Sequence, residues 1–220
     1  MEIINLSQKN TILNQYVAEL RDVNIQGDRM RFRRNLERIG EMMAYEISHC
    51  LAYSVKEVQT PLGIAKASTP DDALVVGTVF RAGLPLHTGF LNVFDRADNA
   101  FVSAYRYYKD KECSQVDVRI EYIATPALDG RPLLLVGPML APGESMELAL
   151  EAFCTKGKPA RTHIAAVIAS QQGVDHLKKV YGARDAVTLW CAVIDPEMNE
   201  RSYIVPGLGD AGDLAFGGKL

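Results

Sequence analysis

The sequence contains no apolar run long enough to cross a bilayer, so no membrane partner is expected. Its opening, MEIINLSQKN, lacks the charged-then-apolar order of an export signal. The four cysteines (Cys50, Cys113, Cys154 and Cys191) are far apart and form no C-x-x-C pair, which argues against a disulfide framework or a structural zinc site. The four histidines (His49, His87, His163 and His176) show no metal-ligand spacing, and no metal-ligating residue is assigned. Nor is there a basic excess. Against 24 Lys and Arg stand 27 Asp and Glu, a formal net charge of −3, which sets a general nucleic-acid binder aside. Repeats and low-complexity segments are missing too. The expectation is a soluble, reduced, cytoplasmic protein.

What is present is ordinary globular composition. The chain has 220 residues, 48% hydrophobic and 23% charged, enough for one domain with a real core. The first third reads as helix: Thr11 to Arg21 carries Ile12, Leu13, Tyr16, Val17 and Leu20 at helical spacing. After Gly27, Asp28 is a candidate N-cap for a longer amphipathic helix, Arg29 to Leu51, with Phe32, Leu36, Ile39, Met43 and Ile47 on one stripe. Arg31, Arg33, Arg34 and Arg38 cluster near its start. They read as a solvated face, or less readily as a contact for phosphate or a partner.

From Val55 the texture changes. Val55 to Val58 and Leu62 to Ala67, split by Thr60-Pro61, predict a hairpin. Strands are predicted at Leu74 to Phe80, Ala100 to Tyr105, Val116 to Ile123, Leu133 to Val136, Thr162 to Ala169 and Val187 to Val193. Helical stretches fall between several of them, at Pro85 to Phe94, Ser145 to Phe153 and Gly173 to Val180. Apolar strands alternating with helices imply an α/β fold with a largely parallel sheet flanked by helices.

In such sheets ligands bind beyond the carboxyl ends of the strands, so the strand-to-turn junctions are the candidates. Phe80-Arg81-Ala82-Gly83 joins a forked cation to a small-residue turn, a combination suited to an anion. Gly137-Pro138-Met139-Leu140-Ala141-Pro142-Gly143-Glu144-Ser145 reads as a loop between strand and helix, where free N–H groups and a helix dipole suit phosphate. It is no Walker loop, because no Gly-Lys-Ser/Thr closes it. Tyr105-Arg106 through Lys109 and Lys111 is a basic, aromatic strand end. The tail from Tyr203 to Gly217 carries Gly207, Gly209 and Gly212 with Asp210 and Asp213, a backbone path that can present N–H and C=O groups to a planar ligand.

At this point a resemblance carries the reading further. The tail YIVPGLGDAGDLAFG looks like the uracil-binding signature of uracil phosphoribosyltransferases. RAGL at Arg81 to Leu84 resembles the family's pyrophosphate loop, and Tyr105-Arg106 sits where the family has a second phosphate-contacting arginine. RFRRNLERIGEMMAYE (Arg31 to Glu46) resembles its N-terminal helical arm. The resemblance implies a phosphoribosyltransferase core with a hood. It divides the chain into a helical arm at 1–54, a hairpin at 55–68, a core at 69–200 and a uracil-binding hood segment at 201–220.

The implied reaction is uracil + 5-phosphoribosyl 1-diphosphate (PRPP) → UMP + diphosphate, with magnesium carried by PRPP and a homodimer or higher homo-oligomer as the assembly. Ile204, Gly209, Asp210 and Ala211 would face uracil, with Asp210 also near sugar and metal. Arg81 and Arg106 would take the diphosphate, with Ala82 and Gly83 beside it. Arg81, Arg106 and Asp210 are thus the implied catalytic set.

One stretch departs from the family pattern, which resembles DPMLATGGS. Here Gly137 replaces an aspartate expected to hold ribose hydroxyls, Pro142 replaces a threonine, and Glu144 replaces a glycine. Each charge-assisted hydrogen bond lost would cost roughly 1.5–3 kcal/mol. Two readings follow: a working salvage enzyme, or a relative that binds uracil or UMP in a regulatory role without effective turnover. A third is a structural subunit that pairs with an active homologue.

Overall fold

The computed structural model describes residues 1–71, 73–108, 116–184 and 186–218, with backbone alone at 104–108 and 116–120. Lys109 and Lys111 of the basic strand end, and Cys113, lie outside the described residues, as does the side chain of Arg106.

Seven strands form one sheet in the order β1-β9-β8-β7-β4-β5-β6. They are β1 (Glu2–Asn5), β4 (Val75–Phe80), β5 (Asp98–Tyr108), β6 (Val116–Ala124), β7 (Pro132–Leu140), β8 (Arg161–Ser170) and β9 (Val187–Asp195). All pairings are parallel except β5 with β6. The expected α/β class is therefore present.

Residues alternate between two buried faces along the central strands. Val76, Leu134, Val136, Ala165, Val167, Trp190 and Ala192 join one cluster, while Val75, Leu133, Leu135, Ile164, Ala166, Leu189 and Cys191 join the other. A period of two with both faces apolar is what helices on both sides of a sheet require. The first face is covered by α1 (Ile12–Arg21), α2 (Arg29–Ser48) and α3 (Gly83–Val93); the second by α4 (Glu144–Cys154) and α5 (Gln171–Tyr181).

The α2 stripe behaves as its spacing predicts. Phe32, Leu36, Ile39, Met43 and Ile47 are all essentially inaccessible, each burial contributing about 1.5–3 kcal/mol. Thr11 and Asp28 cap α1 and α2 through side-chain acceptors. Helices α2 and α3 touch backbone to backbone, since a Cβ at Gly89 would lie 2.0 Å from the Glu37 carbonyl oxygen. The basic cluster is used within the chain. Arg31 pairs with Glu19, Arg34 with Glu37, Arg33 donates to the Ala215 carbonyl, and Arg38 lies over the Tyr16 ring.

The hairpin is longer than predicted: β2 (Tyr53–Thr60) and β3 (Gly63–Pro70) form a separate two-stranded sheet. Two corrections concern β7 and the chain start. Gly137 to Leu140, expected in a loop, continue strand β7, with Met139 and Leu140 registered against Ile168 and Ala169 of β8. Strand β4 pairs with β7 only as far as Val136, so Pro138 sits where one flank of the strand is already unpaired and its missing N–H costs little. Glu2–Asn5, at the start of the first third that reads as helix, is instead an edge strand on β9. A two-residue ladder of β10 (Glu197–Met198) with β11 (Ile204–Val205) and a short helix α6 (Ala211–Phe216) complete the fold.

Candidate active site

Strand order reverses between β4 and β7: the chain runs outward from β4 through β5 and β6, then returns to β7 and continues through β8 and β9. A crevice opens beyond the carboxyl ends of strands at such a reversal. Here it is a cavity of about 460 Å³, bounded by the end of β4, the end of β7 with the start of α4, and the 202–212 segment.

Most of the residues singled out in the sequence meet there. Arg81, Ala82 and Gly83 line it, as do Gly137, Pro138, Met139, Ala141 and Ser145, and on the third side Ile204, Gly209, Asp210 and Ala211. Leu140, Pro142, Gly143 and Glu144 do not. Leu140 is in the core. The Glu144 side chain is exposed at the first turn of α4, where its charge suits the positive end of the helix. Arg106 lies in β5, beside the site in the sheet.

Each wall has a local reason for its shape. After β4 the chain turns over Thr78, whose hydroxyl donates to the Val136 carbonyl at 2.9 Å; a Cβ at Gly83 would lie 2.1 Å from that hydroxyl oxygen. The Phe80–Arg81 peptide is cis. Arg81 reaches across to the C-terminal segment, with Nη2 3.0 Å from Asp213 Oδ1 and Nη1 donating to the Gly217 carbonyl at 3.2 Å. Asp210 caps α6, its Oδ1 accepting the Asp213 N–H at 3.0 Å. The β7–α4 junction is held from behind. Ser170 Oγ donates to the Ala141 carbonyl at 2.6 Å, and His176 Nε2 lies 2.6 Å from Glu147 Oε2 on α4.

Gly137 and Met146 form a close pair: a Cβ at 137 would lie 3.1 Å from the Met146 methyl. Where the resemblance leads one to expect a carboxylate, the floor of the cavity is apolar. Met146, Ser103 and Ser202 also line the cavity, and no local pattern in the sequence marks them as lining groups. Met146 was readable only as a core position of an amphipathic helix. Among the described residues no three His, Cys, Asp or Glu side chains gather in a way that would hold a metal.

A family model described as uracil phosphoribosyltransferase matches residues 7–218. A uracil phosphoribosyltransferase of Porphyromonas gingivalis is 56% identical over 220 residues, all of both chains. One from Methanothermobacter thermautotrophicus is 37% identical over 210 residues, 94% of this chain and 93% of that one. Among solved structures, the AQ2163 protein of Aquifex aeolicus superposes with a TM-score of 0.86 at 26% identity, covering 98% of each chain. A reversed-order parallel sheet, a cavity at the reversal and relatives matching end to end lead to one conclusion: this chain belongs to the uracil phosphoribosyltransferase family.

Proposed function

We propose that the protein transfers the phosphoribosyl group of PRPP to uracil, releasing diphosphate and making UMP in pyrimidine salvage. The observation that carries this reading is the cavity at which Arg81, the β7–α4 junction and the 204–211 backbone converge from distant parts of the chain.

The reaction breaks the bond from the anomeric carbon to diphosphate and joins that carbon to N1 of uracil. Negative charge builds on the leaving diphosphate, and a fixed guanidinium aimed at it lowers the barrier. Arg81 has that place, and Arg106 is the second candidate. Asp213 pairs with Arg81 in this structure, so diphosphate exchanges for a carboxylate and the arginine is kept oriented until substrate arrives. The start of α4, with Ser145 at the cavity wall, offers N–H groups to the 5′-phosphate.

Backbone groups from Ile204 to Ala211 read the edge of the base. A cytosine there would leave buried donors and acceptors unpaired. Asp210 is an acid facing the cavity and the residue to meet the magnesium that PRPP brings. That ion, as part of the substrate complex, neutralises diphosphate oxygens.

The exposed position of Glu144 favours turnover over a purely binding role, because the added charge stays out of the cavity. Self-association is part of the proposal. A hairpin of two strands is marginal alone in water, and this one presents Val55, Ile64 and a fully exposed Leu62. A reducing, cytoplasmic setting is supported by Cys50, Cys154 and Cys191, all free thiols. Formation of labelled UMP from uracil, PRPP and magnesium tests the activity, and light scattering on the purified chain tests the assembly.

A further inference from the structure

Behind the base side of the cavity lies a polar clamp. Asp195 ends β9 and is buried, 4% exposed. Its carboxylate accepts from both terminal nitrogens of Arg21 on α1, at 2.8 and 2.9 Å. Oδ2 of the same carboxylate accepts the Gly207 N–H at 2.9 Å, and Arg21 Nη1 donates to the Gly207 carbonyl at 3.2 Å. Guanidinium and carboxylate together grip both polar backbone groups of one loop residue. Gln26 adds a second hold, donating to the Leu208 carbonyl at 3.2 Å and to the Leu20 carbonyl at 2.8 Å. None of Arg21, Gln26 and Asp195 lines the cavity.

The loop needs such a hold. Gly207 has φ +54° and Gly209 φ +93°, and a Cβ at 207 would lie 2.1 Å from the Ile204 carbonyl oxygen. The β10–β11 ladder fixes the loop's start at Ile204, and the Asp210 cap fixes its end. The clamp holds the middle.

We propose that Arg21 and Asp195 are positioning residues for uracil, setting the 204–210 backbone from the helical arm and so fixing affinity for the base. This rests on the reading of that backbone as the base-recognition edge. Small displacements of positioned groups are costly in catalysis. Removing one member of a buried pair also leaves the other charge uncompensated.

The test is steady-state kinetics of R21A, R21K, D195N and Q26A, varying uracil and PRPP separately, with thermal unfolding to confirm folding. The expected result is a uracil KM raised about tenfold or more in R21A and D195N, less in R21K, and about twofold to threefold in Q26A, with PRPP KM within about twofold of wild type. General structural damage would instead lower kcat and move both KM values together. Should D195N fail to fold, R21K and Q26A carry the same prediction. The proposal is overturned if folded R21A, R21K and Q26A keep the wild-type uracil KM, or if both KM values rise in parallel. Wild-type turnover with unmoved variants removes the clamp alone. A wild type that makes no UMP removes the base-site reading and the clamp with it.

Discussion

The two ends of the cavity, which we propose take the base and the phosphates, are fixed by different means. The base end is lined by Ile204 and by Gly209 to Gly212. Buried charge grips it from behind, through Asp195, Arg21 and Gly207, and Asp210 caps the helix that follows. At the phosphate end the rear supports are present in Ser170 and the His176–Glu147 pair, while the floor is apolar, built from Gly137 and Met146. On the proposed function, recognition of uracil would be built into the chain path, and recognition of PRPP would be concentrated in Arg81, its neighbours and the start of α4.

The largest effect should come from removing the charge on which the phosphate end depends. R81A is expected to lower kcat/KM for PRPP by about 100-fold to 1,000-fold, read in initial rates at saturating uracil. A loss below about fivefold would move the diphosphate contact elsewhere and break the contrast. Next comes G137D/P142T/E144G, which restores the family pattern. It is expected to tighten PRPP binding by about tenfold or more in calorimetry, because one regained charge-assisted hydrogen bond corresponds to that much. The Met146 methyl must shift to admit a carboxylate side chain at position 137, so adding M146A should enlarge the gain. No change in affinity would show that Gly137 is not where ribose contacts are lost.

Two acid transitions in stability sharpen the picture. Hydrogen bonds from Arg31, Asn35 and Gln15 hold Glu19 at a pKa of about 2, against an ordinary 4.5. Its depressed folded value means its contribution is full above about pH 4.5 and is lost as pH falls towards 2. Glu19 ties α1, which carries Arg21, to α2, so the base end should loosen in that window. E19Q should flatten it in urea unfolding followed across pH.

His163 is pushed down to about 4 by burial, with Arg161 adding to the effect, and its neutral ring accepts from Trp190 Nε1 at 3.2 Å. The unfolded chain then binds the proton more readily, so stability falls as pH drops from about 6.5 to about 4. A flat profile there would contradict the neutral, buried imidazole. The smallest effect expected is that of E144G alone, within about twofold for PRPP KM, because exposed charges interact weakly across solvent. A large gain from E144G would put that carboxylate in the cradle.

Local signals in the sequence located much of this. The α2 stripe, the apolar runs of β4 and β8, the Arg81 turn and the glycine-bearing tail each carry their meaning within a dozen residues, and the cavity unites three of the four junctions read as candidates. The rest depends on contacts between distant parts of the chain. Gly137-Pro138 looks like a turn until β8 is seen to pair past it. The tail looks like open loop until Arg81 and Arg33 are seen holding α6. Arg21 and Asp195 are 174 residues apart, and no local pattern marks a surface-type arginine as the partner of a buried carboxylate.

The most direct measurement is UMP formation by the intact chain from uracil and PRPP with magnesium, each substrate varied in turn. Saturable UMP production, nearly abolished in R81A, is the expected result. No UMP above background at high PRPP and magnesium would contradict it.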